Sequence, residues 1–411
     1  MSALAKSRRL ALWLFVGCVL WPFAVATHAE PRWIGTWATA PIPERPGQDT
    51  PTLAAATFRQ NIHISLGGRT VRLRLSNAFG ATPLRLAGVH LALAAPGGAI
   101  QPGTDRAVKF AGQDAVTIPA GAPLVSDPLD FPLPPQADVS ISIHFAAELP
   151  DTLTAHPGSR TTSFLQPGDA LATVTLPDAR KVERWYFING LDVLVDAPAT
   201  SALAILGDSI TDGRGTTTDA NNRWPDEFVR RYQAQPGLPP LGVLNLGIGG
   251  NALVRGGIGP NILARFDRDV LAQSGVRWLL VFAGINDLGG RVSARKEHRE
   301  FASISDLVAG YQQVITRAHS RNLRVVGATI TPYQGADFYW TPDGEADRQK
   351  INEWIRHSGA FDAVADFDVA VRDPERPTRL RPEFDSGDHL HLSPAGYARL
   401  GEALAPNLFS P

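Results

Sequence analysis

The chain has 411 residues, 44% of them hydrophobic and 19% charged, a composition of packed cores rather than disorder. Basic and acidic side chains nearly balance, 39 against 40, and no basic run occurs, which argues against a nucleic-acid partner. The length is that of two domains.

At the N-terminus Lys6, Arg8 and Arg9 precede an apolar stretch from Leu10 to Val25, and small residues follow at Ala24, Ala26 and Ala29. This is the layout of a secretory signal peptide, residues 1–29. The apolar stretch is short for a spanning helix and Pro22 interrupts it, so a retained anchor is the weaker reading. Cleavage after Ala26 or Ala29 predicts a secreted or periplasmic chain with no stable membrane anchor. The single cysteine, Cys18, lies in this segment. Val16-Gly17 precede it as in a lipid-attachment site, but the apolar run continues through Val19-Leu20-Trp21, against a lipoprotein. The mature chain then has no cysteine, which excludes disulfides, thiol catalysis and zinc–thiolate sites together.

Residues 30–196 follow a period of two. Asn61 to Leu66 alternates, Thr70 to Leu75 alternates, and Gly67-Gly68 between them predict a hairpin. Asp138 to Phe145 alternates over a longer span, and clusters such as Ala95-Pro-Gly-Gly98 and Gln166-Pro-Gly-Asp169 mark turns. The pattern predicts an all-β sandwich or jelly-roll accessory domain.

Asp196 to Ser201 reads as a linker. From Ala202 to the C-terminus, apolar strands alternate with amphipathic helices. Strands are predicted near Ala202–Leu206, Val243–Leu246, Trp278–Ala283, Arg324–Ile330 and Ala363–Phe367. Helices are predicted near Trp224–Gln235, Ile262–Ala272, Ser305–Ser320, Glu345–Ser358 and Ala395–Ala405. This order predicts an α/β fold, a doubly wound parallel sheet over 202–411. Ligands in such sheets sit at the carboxyl ends of the strands, so the loops there carry the chemistry.

Those loops hold polar residues of the right types. Ser209 follows the first strand, Gly247-Ile-Gly-Gly-Asn251 the second and Gly284-Ile-Asn-Asp287 the third, while Asp388-His-Leu-His391 lies beyond the last. A serine nucleophile needs a base, which His389 or His391 supplies, and an orienting carboxylate, which Asp388 supplies. The Ser209 amide, a glycine amide near Gly250 and the Asn286 side chain are suited to an oxyanion. Each piece also has a plain structural reading. Gly-Asp-Ser is ordinary turn and capping chemistry, and Asp388 could cap the helix after Ser393-Pro394. The His389/His391 pair lacks further metal ligands nearby. Gly247 to Ala252 matches the dinucleotide pattern G-x-G-x-x-G/A, with Asp267 downstream, but it lies in the second unit and its helix is delayed. No phosphate loop or zinc helix occurs, so no cofactor and no metal are called for. Thr211 stands where the G-x-S-x-G elbow needs glycine, which argues against the α/β-hydrolase fold.

Taken together, these residues resemble the SGNH hydrolases, also called GDSL esterases. Gly207-Asp208-Ser209 is similar to the first family block, Gly250 to the second-block glycine, Gly284-x-Asn286-Asp287 to the third and Asp388-x-x-His391 to the fifth. Ile210 departs from the leucine of the short name. The resemblance implies a flavodoxin-like domain, Ser209 as nucleophile, His391 rather than His389 as base, Asp388 as its partner, and an oxyanion hole of Ser209, Gly250 and Asn286. Gly35-Thr-Trp-Ala-Thr-Ala-Pro41 and Arg72 to Gly80 also resemble two-domain bacterial members similar to a xylanase-associated esterase. That implies a carboxylic ester substrate, small or polymeric, with acetyl groups on plant-wall polysaccharide as one candidate. A lipid esterase or lysophospholipase, an acyltransferase, and a non-catalytic carbohydrate-binding protein are the competing readings. The loop Thr331 to Trp340 either lines the pocket with its aromatics or packs locally.

Overall fold

The computed structural model describes residues 30–47 and 50–409. The expected signal peptide, Cys18 included, lies outside the described residues.

From Arg32 to Val195 the named strands pair antiparallel. A five-stranded sheet runs in the order Arg32–Ala38, Ile188–Val195, Gly68–Ser76 and Pro123–Val125, with Leu129–Leu133 also on Gly68–Ser76. A seven-stranded sheet has Asp138–Phe145 between Ala56–His63 and Leu84–Leu93 near its centre. Val139, Ile141, Ile143 and Phe145 are buried on one face of that strand. Burying each such side chain contributes about 1.5–3 kcal/mol. The opposite face is covered too: the fully buried Arg59 donates to Ser142 Oγ at 2.9 Å and to the carbonyls of Gly98 and Thr173. Both sheets, with a third of three short strands (Trp185–Tyr186, Leu153–His156 and Ile42–Glu44), contribute to one hydrophobic core that runs on into the parallel region, so the region is all-β as alternation predicts.

The expected hairpin at Gly67-Gly68 does not form. Ala56–His63 belongs to the seven-stranded sheet and Gly68–Ser76 to the five-stranded one. The intervening residues turn a corner. Ser65 N donates to Thr36 O at 3.0 Å, and Leu66 N to Thr36 Oγ1 at 2.7 Å. Two strands that face one core from opposite sheets alternate just as a hairpin does, so the period could not tell them apart.

Beyond residue 200 the sheet is parallel, in the order Leu241–Gly247, Ser201–Gly207, Val276–Phe282, Arg324–Ala328, Ala363–Ala365. In sequence terms this is 2-1-3-4-5, the flavodoxin-like order, with its switch point beside the first strand. The first strand is buried along its whole length, as a central parallel strand must be. Capping chemistry sets the helix starts. Ser303 and Asp306 form a capping box for Ile304–His319, Thr341 caps Pro342–His357, and Ser393 caps Pro394–Ala403. Most boundaries shift by one to three residues, and three of the shifts have a local cause. The helix at Ile262 is α-helical only to Phe266 and continues as a π turn, Asp267–Leu271. The fourth strand stops at Ala328, since Ile330 N is taken by Asn352 Oδ1 at 2.7 Å. The fifth stops at Ala365, because Asp366 caps a new helix, Phe367–Val371.

The two regions touch along the outer parallel strand and at the turn before Val276–Phe282. Ser65 Oγ accepts from Val243 N at 2.8 Å, and Gly35 N donates to Ser274 O at 2.9 Å. Gly242 leaves room for this approach: a Cβ there would lie 2.1 Å from Gly35 O. Among the described residues no helix is long and apolar enough to cross a membrane.

Candidate active site

The loops after the first three parallel strands meet the segment before the last helix at a cavity of about 480 Å³. Ser209, Gly250, Asn286, Asp388 and His391 all line it. The five residues singled out in the sequence are thus brought to one place at the carboxyl edge of the sheet.

Ser209 owes its position to the residue before it. The strand ends at Gly207, and Asp208 caps the short helix Ser209–Asp212 by accepting from Ile210 N at 3.0 Å. The capping role therefore falls to Asp208 and leaves the serine hydroxyl for other use. Burial pushes the Asp208 carboxyl up to about 7, against the pull of the Ile210 amide. As first residue of the helix, Ser209 has an amide with no acceptor inside the helix.

Ser209 Oγ lies 2.8 Å from His391 Nε2, and His391 Nδ1 lies 2.7 Å from Asp388 Oδ2. Asp388 Oδ1 also accepts from the amides of His391 and Leu390, at 2.8 and 3.0 Å. A carboxylate accepts only, so Nδ1 carries the proton and Nε2 presents its lone pair to the serine. Burial raises the Asp388 carboxyl, but these amides and the ring together bring it down to about 2. Burial lowers the His391 imidazole from its ordinary value against the opposing effect of Asp388, and Arg214 and Arg160 lower it further. A neutral imidazole at neutral pH is the state a general base needs. His389 is turned away: its ring pairs with Asp385, its backbone is left-handed (φ 61°), and it does not line the cavity.

Gly250 has φ 70°, a conformation glycine adopts freely. Its carbonyl accepts from Ile258 N at 2.8 Å, while its own amide donates to no group among the described residues. Asn286 is buried, and its Nδ2 donates to Asn251 O at 2.9 Å. Its Oδ1 accepts from the Tyr339 hydroxyl at 2.6 Å, which fixes the amide's orientation and leaves one N–H for a ligand. Asp287 accepts from the amides of Leu253, Val254 and Arg255, holding the loop that follows Gly250. That loop runs on to Asn261 before a helix begins, so Gly247 to Ala252 does not open a helix as a dinucleotide fingerprint does. Asp267 pairs with Arg317 at 2.7 Å instead.

Residues 205–399 match the model of the GDSL-like lipase/acylhydrolase family. This part of the chain is a GDSL-like acylhydrolase domain. Comparison with the curated proteins found no match. Among solved structures, the chain is similar to a GDSL-like lipase from Bacteroides thetaiotaomicron at 16% identity, covering 49% of this chain and 84% of that one (TM-score 0.36). An acetyl xylan esterase from Geobacillus stearothermophilus is 20% identical over 49% of this chain and 92% of its own (TM-score 0.39). A family two carbohydrate esterase from Clostridium thermocellum, in complex with cellohexaose, is 12% identical over 90% and 96% (TM-score 0.39).

Around the acylhydrolase site the structure divides the aromatic loop between its two expected uses and adds two arginines the sequence did not mark. Of the aromatic loop, Phe338 and Tyr339 line the cavity, while Trp340 packs against the core. Phe338 is exposed at the rim, whereas Tyr339 serves Asn286 through its hydroxyl. Arg214, and Arg160 from the antiparallel region, complete the lining. No local pattern marks either arginine. Arg214 follows the helix of Ser209 directly, its N–H donating to Ser209 O at 2.9 Å, whereas a chain crossing brings Arg160 to the same strand end.

Proposed function

We propose that the acylhydrolase domain cleaves short-acyl carboxylic esters, acetyl foremost, carried on a sugar or polysaccharide outside the cytoplasm. The observation that carries the catalytic part is the continuous relay from Ser209 Oγ through His391 to Asp388, at 2.8 and 2.7 Å. In this mechanism His391 Nε2 takes the Ser209 proton as Oγ attacks the ester carbonyl. Asp388 steadies the imidazolium that forms. The developing oxyanion accepts hydrogen bonds from the Ser209 and Gly250 amides and the Asn286 side chain. His391 then returns its proton to the departing alcohol. Water, deprotonated by His391 in turn, releases the acid and restores Ser209.

Apolar groups, Ile42, Ile248, Ile258, Phe338 and Leu390 among them, make much of the cavity wall, but His156, Arg160, Asp212 and Arg214 border it beside the relay. An alkyl chain laid along these groups would strip their water without replacing its hydrogen bonds, whereas a hydroxylated alcohol replaces them. The volume, about 480 Å³, is toward the small end for ligand sites, which run from about 300 to 1,000 Å³.

An acyl-chain series of 4-nitrophenyl esters, run beside acetylated polysaccharides, tests this reading. Turnover should be highest for acetate and absent in Ser209→Ala. A maximum at long acyl chains would replace it with a lipid esterase. Full activity of Ser209→Ala would remove the mechanism. Export is tested by the N-terminal sequence of the mature protein, expected to begin after Ala26 or Ala29.

A further inference from the structure

One part of the cavity wall is not made by the acylhydrolase domain. Ile42, His156, Pro157, Gly158 and Arg160 line it from the antiparallel region. Their loop is fastened to the domain at several points. His156 Nε2 lies 2.9 Å from Asp212 Oδ1, while its Nδ1 is held within its own region, 2.9 Å from Ala40 O. Arg223 donates through Nε to Asp212 O at 3.2 Å and through Nη2 to Ser159 O. Asp219 N donates to Arg160 O at 3.0 Å, and the Asp219 carboxylate accepts from Thr162 N and Oγ1 at 2.6 and 2.7 Å. Arg160 itself sits in a left-handed backbone (φ 48°), uncommon for a residue with a side chain.

The charges facing the cavity are unevenly satisfied. Asp388 is engaged by His391 and two amides, and Asp212 Oδ1 by His156. Arg160 Nη2 comes only to 3.9 Å from Asp212 Oδ2, and its buried Nε has no hydrogen-bond partner. Arg214 is exposed, and its guanidinium makes neither a hydrogen bond nor an ion pair with any described residue. Its backbone is fixed, however. Arg214 N donates to Ser209 O at 2.9 Å, and Arg214 O accepts from the Tyr397 hydroxyl at 2.5 Å. Two guanidinium groups, one held next to the nucleophile's helix and one supplied by the other region, thus face the same cavity without a full carboxylate partner.

We propose that Arg160 and Arg214 form an anion subsite for the alcohol side of the ester, so that the preferred substrate carries a carboxylate there, as an acetylated acidic sugar unit does. Guanidinium binds carboxylate through paired charge-assisted hydrogen bonds, a geometry the exposed Arg214 guanidinium, with no partner among the described residues, is free to adopt beside Arg160. The exposed Phe338 at the same rim offers an apolar surface to the face of a sugar ring. This inference rests on the ester-hydrolase reading and adds the charge of the substrate to it.

The test compares kcat/KM of the full mature chain on an acetylated polyuronate with free carboxylates and on the same polymer with its carboxylates methylated. 4-Nitrophenyl acetate reports the relay alone. The free-carboxylate polymer should be preferred by about tenfold or more at low salt, and the preference should fall as salt screens it. In Arg160→Gln and Arg214→Gln the ratio of the two polymers should approach one, and Arg214→Lys should keep part of it. Equal rates on the two polymers, or a preference that survives both glutamine variants, would overturn the subsite while leaving ester hydrolysis standing if 4-nitrophenyl acetate is still cleaved. A stronger arginine-dependent preference for an acetylated sugar phosphate or a lysophospholipid would also overturn it. Failure to cleave any ester would bring down the underlying hydrolase reading instead.

Discussion

At the scale of single residues, Asn286 is the clearest test of the oxyanion site. Replacing it with alanine removes a buried donor and should lower kcat by about 10²–10³-fold with KM little changed. Tyr339→Phe keeps the ring but frees Asn286 Oδ1, so the amide can rotate; a smaller loss of kcat is expected, and none if the hydroxyl is idle. The pH profile follows from His391. The base works only when neutral, so kcat/KM is present above its pKa and lost as pH falls through it. Burial and the two arginines place that limb below the ordinary histidine value of about 6.5. Arg214→Gln should move it toward higher pH, and an unmoved limb would show that the guanidinium does not act on the imidazole. Ser209, Asp388 and His391 were legible because their neighbours in sequence position them: a cap at Asp208, and a spacing of three that lets Asp388 reach both the His391 ring and its amide. Tyr339 was visible only as an aromatic. Its use as a donor depends on meeting Asn286, 53 positions away.

At the scale of elements, the strands and helices of the parallel region followed from buried runs and capping signals, and so did the sheet's chemistry-bearing edge. What the period could not give was partnership. Residues 61–66 and 70–75 have the pattern of a hairpin yet lie in different sheets, because alternation records one buried face and not which sheet owns it. The loop 156–162 carries no pattern at all. Its course is set by single contacts such as Thr162 with Asp219. Asp219→Ala should therefore act on placement rather than chemistry. KM for polymeric esters should rise several-fold, kcat on 4-nitrophenyl acetate should hold, and the melting temperature should fall by only a few degrees. A drop in kcat on both substrates would show that this loop positions the relay as well as the substrate.

At the scale of the whole molecule, the change from antiparallel to parallel pairing falls between Val195 and Ser201 and was legible as a change of period. The way the two regions meet was not, since it depends on a serine hydroxyl and two glycines. That meeting has a consequence for solubility. Leu241–Gly247 is the outermost strand of the parallel sheet, and an outermost strand offers unpaired amides and carbonyls to any other chain that comes near. Here Ser65 occupies the Val243 amide and Gly35 lies flat against Gly242, so the front of the chain shields that margin. A fragment beginning at Thr200 should keep the sheet but uncover the margin, and light scattering should show it self-associating at concentrations where the longer chain stays dispersed. Val243→Pro in that fragment, which removes the amide, should suppress the association.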